Sequence, residues 1–147
     1  MRYFEDLEAG AVYELGTVEV DEDEVIDFAT RFDPQPFHID PVAAAESHFG
    51  GIVASGWHTC AMFMRLFVDN FTKDTASMGS PGMEELRWLA PVRPGDRLTA
   101  TFEIVSTRPS ASKPDRGLVA SQWKMTNQDG VVVMTLRGTG MYARRPT

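Results

Sequence analysis

The 147 residues predict an α+β fold in a single domain, residues 1–147, and three observations predict it. A long, mostly apolar segment from Gly56 to about Lys73 has the length and composition of a buried helix. Four strand-like segments follow it, and one more lies ahead of it near the N-terminus. A buried helix followed by a run of antiparallel strands is an α+β arrangement, and a chain of this length can bury a sizeable core.

Val12 to Val20 is rich in β-branched and aromatic residues and reads as a first strand, with Gly16 as a bulge. Asp21 is placed to cap a helix and Glu24 follows three positions later, an approximate capping box. Val25, Phe28, Ala29 and Phe32 recur at helical spacing, and Pro34 ends that helix. Asp33 therefore falls at a helix exit, where the dipole disfavours a carboxylate. Residues set against local preference are candidates for function.

Asp33-Pro34-Gln35-Pro36-Phe37-His38-Ile39-Asp40 puts a carboxylate and an imidazole five residues apart. The two prolines bias the residues before them away from helix, so the stretch is expected to be a rigid, non-repetitive loop. Such a loop holds two proton-transfer groups at one point. Asp40 and Pro41 start another short helix, with Asp40 as its cap, and Gly50-Gly51 ends it.

Ser55 is a natural N-cap for the long helix that begins at Gly56. Most of that helix is apolar, and His58, Arg65, Asp69 and Thr72 form one narrow polar stripe. A backbone N–H at its start is placed to stabilise developing negative charge. The strands that follow run over Glu84–Ala90, Arg97–Thr107, Gly117–Thr126 and Val131–Ala143. Arg93-Pro94-Gly95-Asp96 has the sequence of a type II turn, and Asn127–Gly130 connects a hairpin. Arg108 to Arg116 reads as a mildly basic loop.

The motif around Asp33 resembles the hydratase motif of the MaoC-like dehydratases, a family that includes (R)-specific enoyl-CoA hydratases. The family form is roughly Gly-Asp-x-Asn-Pro-x-His-x-Asp, followed by a Gly that opens the central helix. The resemblance implies the hotdog fold, a curved antiparallel sheet wrapped around one helix, and a homodimer. It implies Asp33 and His38 as the catalytic pair and the Gly56 N–H as the oxyanion donor. Ser55, Trp57 and Met64 fall where substrate is expected to bind. Phe32 and Gln35 depart from the family's Gly and Asn, and Met64 stands where the hydratases carry a hydroxyl.

The activity so implied is reversible hydration of a 2-enoyl-CoA to a 3-hydroxyacyl-CoA, with no cofactor beyond the CoA of the substrate itself. Burial is expected to raise the Asp33 pKa. Two alternatives come with the fold: an acyl-CoA thioesterase and a non-catalytic acyl-CoA-binding subunit.

Composition narrows the remaining classes. A net charge of −7 disfavours nucleic acid as a partner. No apolar run is long enough to span a bilayer, and the N-terminal residues lack a signal-peptide pattern. A single cysteine, Cys60, suits a reducing cytoplasm and sits among apolar residues, as a packing group would. His38, Asp40, His48 and His58 have no compact metal-ligand spacing, so no metal is expected. Arg108, Lys113 and Arg116 read as solvated loop charges ahead of contacts to CoA phosphates.

Overall fold

A computed structural model describes residues 1–147. The elements run β1 (Val12–Glu19), α1 (Glu22–Phe32), α2 (Pro36–Ile39), α3 (Pro41–Glu46), α4 (Gly56–Asn70), β2 (Gly82–Trp88), β3 (Arg97–Pro109), β4 (Arg116–Thr126) and β5 (Val132–Ala143). The five strands form one antiparallel sheet in the order β1-β3-β4-β5-β2, with α4 against its inner face. This is the α+β architecture expected, a sheet wrapped around one long helix. No helix is long and apolar enough to cross a membrane.

Alternation builds the inner face. Leu98, Ala100, Phe102 and Ile104 of β3 are buried, as are Val119, Ser121, Trp123 and Met125 of β4, every second residue in each strand. Bulges then curve the sheet. In β1 the register shifts between Glu14 and Gly16, and Gly16 takes φ +97, a conformation natural only to glycine. Register shifts also occur in β3 between Ile104 and Ser106 and in β2 between Glu84 and Arg87.

α4 is about 22 Å long at 1.5 Å per residue. It lays Phe63 and Phe67 on the sheet: Phe63 stacks on Trp123 with centroids 4.4 Å apart, and Phe67 meets Phe102 at 4.8 Å. Phe71, just past the helix, continues the row against Phe102 and Tyr13. Aromatic pairs of this geometry add to what burial of their surface alone contributes.

Three expectations need correction. α4 is not buried on most sides, because Trp57, Met64 and Val68 form an exposed apolar stripe. His58, assigned to the polar stripe, is instead buried and stacked on Phe28 of α1, with Nδ1 lacking any hydrogen-bond partner. Period alone sets which residues share a face, and the contact made by α1 decides which face is covered. α3 ends at Ser47, whose hydroxyl bonds back to the Ala44 carbonyl, before Gly50-Gly51 is reached.

Turn chemistry follows the sequence closely. Asp21 accepts the Glu24 N–H at 3.0 Å and caps α1. Gly95 at φ +90 gives the tight turn before β3 its shape. Asn127 Oδ1 accepts the Asp129 and Val131 amides in the β4–β5 hairpin.

Candidate active site

Pro36 is at the first position of α2, a one-turn helix, so the segment carrying His38 is helical rather than an irregular loop. Proline is disfavoured inside a helix but tolerated at its start, where its missing N–H has no partner to lose. Asp33 is the C-cap of α1, and its N–H reaches the Ala29 carbonyl at 2.8 Å. One turn of α2 carries the chain back so that His38 Nε2 lies 3.3 Å from Asp33 Oδ2.

His38 is buried, and its Nδ1 is 2.6 Å from the Val53 carbonyl oxygen. A carbonyl only accepts, so Nδ1 carries the proton. In neutral His38, Nε2 therefore presents a lone pair on the same side as the Asp33 carboxylate. Two acceptors 3.3 Å apart can be bridged by one molecule with two O–H donors, a water.

Asp33 is held from both sides. Gln35 Nε2 donates to Oδ1 at 2.8 Å, and the Ser55 hydroxyl donates to Oδ2 at 2.7 Å. Burial works to raise the Asp33 pKa. The hydrogen bonds from Gln35 and Ser55, joined by the charge of His38 when it is protonated, outweigh it and leave the carboxyl below the ordinary aspartate range. The expected upward shift is thus reversed, because hydrogen bonds to the charged form favour it. Asp33 is ionised at neutral pH, the state a base needs.

Ser55 occupies the N-cap position of α4 but makes no side-chain capping bond. Its hydroxyl is spent on Asp33, while its carbonyl accepts the His58 and Thr59 amides at 2.9 and 3.1 Å. The Gly56 and Trp57 amides consequently donate to nothing in the chain. Uncapped N–H groups at a helix start form an anion-stabilising end.

These groups meet in one cavity of about 450 Å³. Asp33, His38 and Gly56 lie on its wall, as do Trp57 and Thr59, and Phe37, Val92 and Trp88 supply apolar surface. Ser55 is fully buried behind Asp33 and touches the carboxylate rather than the cavity. Met64 lies outside this cavity. It lines two further apolar hollows of about 540 and 220 Å³ between α4 and the sheet, the first of which shares Trp57 with the main cavity.

The other candidates take structural places. Asp40 Oδ1 accepts the Val42 and Ala43 amides and caps α3. Burial pushes the Cys60 thiol up, and its Sγ rests 3.5 Å from Met134 Sδ. Arg116 pairs with Asp115, and neither it, Arg108 nor Lys113 lines the cavity. No group of three or more His, Cys, Asp or Glu side chains is arranged around a common point. Trp88 is the residue that sequence reasoning missed. Its one signal was a tryptophan within the expected Glu84–Ala90 strand, three residues before Pro91, where nothing indicated that it would cross to Gly56.

Residues 7–124 match the family described as the MaoC like domain. A 3-hydroxyacyl-thioester dehydratase Z of Mycobacterium tuberculosis is 35% identical over 113 residues, spanning 71% of this chain and 75% of that protein. A crystal structure of the MaoC-like dehydratase from Rhodospirillum rubrum superposes with a TM-score of 0.90 at 41% identity, over 99% of both chains. Another protein from Mycobacterium tuberculosis, with a double hotdog fold, superposes at a TM-score of 0.81 and 17% identity over 98% of this chain and 44% of its own, a likeness of fold alone. The sheet, its central helix and the matched residues lead to one conclusion: the chain is a hotdog-fold member of the MaoC-like dehydratase family.

Proposed function

We propose that the protein reversibly hydrates a 2-enoyl-CoA thioester to a 3-hydroxyacyl-CoA. The observation that carries this reading is the approach of Asp33 Oδ2 and His38 Nε2, both acceptors, to 3.3 Å in the cavity that also has Gly56 and Trp57, whose amides are unpaired, on its wall. Its relationship to a 3-hydroxyacyl-thioester dehydratase points to the same reaction class. The exposed half of that class, water addition to a conjugated thioester, needs what this cavity supplies.

Asp33 takes a proton as the water oxygen bonds to C3 of the enoyl group. The C2=C3 electron pair moves toward the thioester oxygen, where the Gly56 N–H and the start of α4 stabilise the charge. The proton passes across the 3.3 Å gap to Nε2, and His38 delivers it to C2. Water is thereby added across the double bond with no residue left altered. CoA enters and leaves as part of the substrate, and no separate cofactor or metal takes part in these steps.

A second copy of the chain belongs to this reading. β2 is an edge strand, and Met83, Trp88 and Leu89 on or beside it are exposed, as are Trp57, Met64 and Val68 on α4. Apolar surface of this extent on a single chain is the kind that a partner covers. A homodimer that covers part of this surface accounts for its exposure in one chain; we place that dimer in the cytoplasm, with the acyl chain running past Trp57 toward Met64.

Incubation with crotonyl-CoA tests the reaction. Loss of the conjugated thioester absorbance without free thiol supports hydration. Release of free CoA thiol instead points to a thioesterase. Binding of crotonyl-CoA with neither change leaves a binding subunit.

A further inference from the structure

The Trp88 indole lies on Gly56. A Cβ added at Gly56 would fall 2.3 Å from Trp88 Cε2, so the ring covers the glycine Cα in direct contact. In the same contact, Trp88 Nε1–H donates to the Gly56 carbonyl at 3.0 Å. Trp57 packs against the same indole edge to face, with ring centroids 5.2 Å apart. Trp88 comes from the end of β2 and Gly56 from the start of α4, so this contact ties the helix start to the sheet.

The bonded carbonyl belongs to the Gly56–Trp57 peptide, whose N–H donates to nothing in the chain. A hydrogen bond accepted by a peptide oxygen polarises the N–H of the same peptide. The preceding peptide is polarised in the same way, because the Ser55 carbonyl accepts two amides while the Gly56 N–H is unpaired. A helix start of this kind has one weakness as an oxyanion site: its first residue is a glycine, the most mobile of residues. The indole removes that freedom by contact above the Cα and by a bond to the carbonyl.

We propose that Trp88 is a positioning residue for the thioester oxyanion site, fixing the Gly56–Trp57 peptide so that the unpaired amides face the substrate carbonyl. Trp88 acts on the reacting oxygen only through the Gly56–Trp57 peptide that it holds. This rests on the reading of the cavity as a thioester site, and the test separates the two.

The variant is Trp88→Phe, which keeps an aromatic cover and removes the N–H donor; Trp88 is 45% exposed, so the change leaves the core intact. Two measurements are made on the full chain. The first is kcat and KM for crotonyl-CoA. The second is the infrared C=O stretch of bound butyryl-CoA carrying 13C at the thioester carbon, a saturated ligand that cannot be hydrated. The expected result is a fall in kcat of about tenfold, the scale of one hydrogen bond, with KM changed less than about twofold. In the infrared, the downshift of the bound carbonyl in the wild type shrinks in Trp88→Phe. A wild type that hydrates crotonyl-CoA, with kcat and carbonyl frequency unchanged in the variant, overturns the role of Trp88 and leaves the hydratase reading standing. A wild type that fails to hydrate but shows a Trp88-dependent downshift overturns that reading and keeps the inference. No downshift in the wild type overturns the inference outright.

Discussion

The Ser55 hydroxyl donates to Asp33 Oδ2 at 2.7 Å, and this one bond has two effects on the site. It favours the ionised form of Asp33, and it withdraws from α4 the side chain that would otherwise cap it. The Asp33 carboxylate and the uncapped amides are therefore linked through a single buried serine. Ser55→Ala is expected to raise the Asp33 pKa toward its ordinary value, moving the acid limb of the kcat/KM profile upward in pH. Folding stability should fall by about 1 kcal/mol, since a half-buried carboxylate loses one of its donors. Rate profiles and urea titrations of the two proteins check both effects.

The depressed Asp33 pKa also predicts a sign for stability against pH. The folded chain binds this proton less tightly than the unfolded chain does. The stabilisation is complete above the ordinary aspartate value of about 3.9 and is lost as pH falls through the lower folded value. Asp33→Asn lacks this contribution. The stability difference between wild type and variant should therefore shrink from about pH 5 to about pH 3, in chemical denaturation at each pH. A gap that widens on acidification would contradict the assignment.

His38 does two separable jobs, since Nδ1 anchors on Val53 and Nε2 faces Asp33. His38→Asn places an amide N–H near the Nδ1 position and leaves nothing at Nε2. It should keep the thermal midpoint within a few degrees while turnover drops by about two to four orders of magnitude, as loss of a proton-transfer group does. Calorimetry and crotonyl-CoA kinetics on one preparation give both numbers.

Gly56→Ala forces its methyl into the Trp88 ring, so the indole must move. Overpacking of this kind costs about 1–3 kcal/mol. Displacing the peptide from its proposed oxyanion position should lower kcat by about two to three orders of magnitude. A shift in tryptophan emission, from the indoles of Trp57 and Trp88, should accompany the loss.

Local chemistry was legible in the sequence where a residue acts on its neighbours. The Asp21 and Asp40 caps, the Gly16 bulge and the Gly95 turn follow from residues within four positions of one another. The pairing of Asp33 with His38 was legible too, through five residues that carry a recurring motif. What stayed hidden depends on contacts between distant segments. The stacking of His58 on Phe28, the cover of Gly56 by Trp88 and the diversion of the Ser55 hydroxyl each join separate elements. The expected direction of the Asp33 pKa differs from the structure because it follows from burial alone, without the donors around the carboxylate. One donor, Gln35, lies two residues away in the same segment, while the other, Ser55, comes from 22 residues on at the start of α4.

The most direct test of the central claim, a water held between Asp33 and His38 and added to C3, is isotopic. Crotonyl-CoA is incubated in H2(18)O with wild type and with Asp33→Asn, and the products are read by mass spectrometry. The account predicts 18O on C3 of 3-hydroxybutyryl-CoA with the wild type, at a rate that Asp33→Asn lowers by at least about a hundredfold. Label appearing in a free carboxylate, or equal labelling of C3 by both proteins, would contradict it.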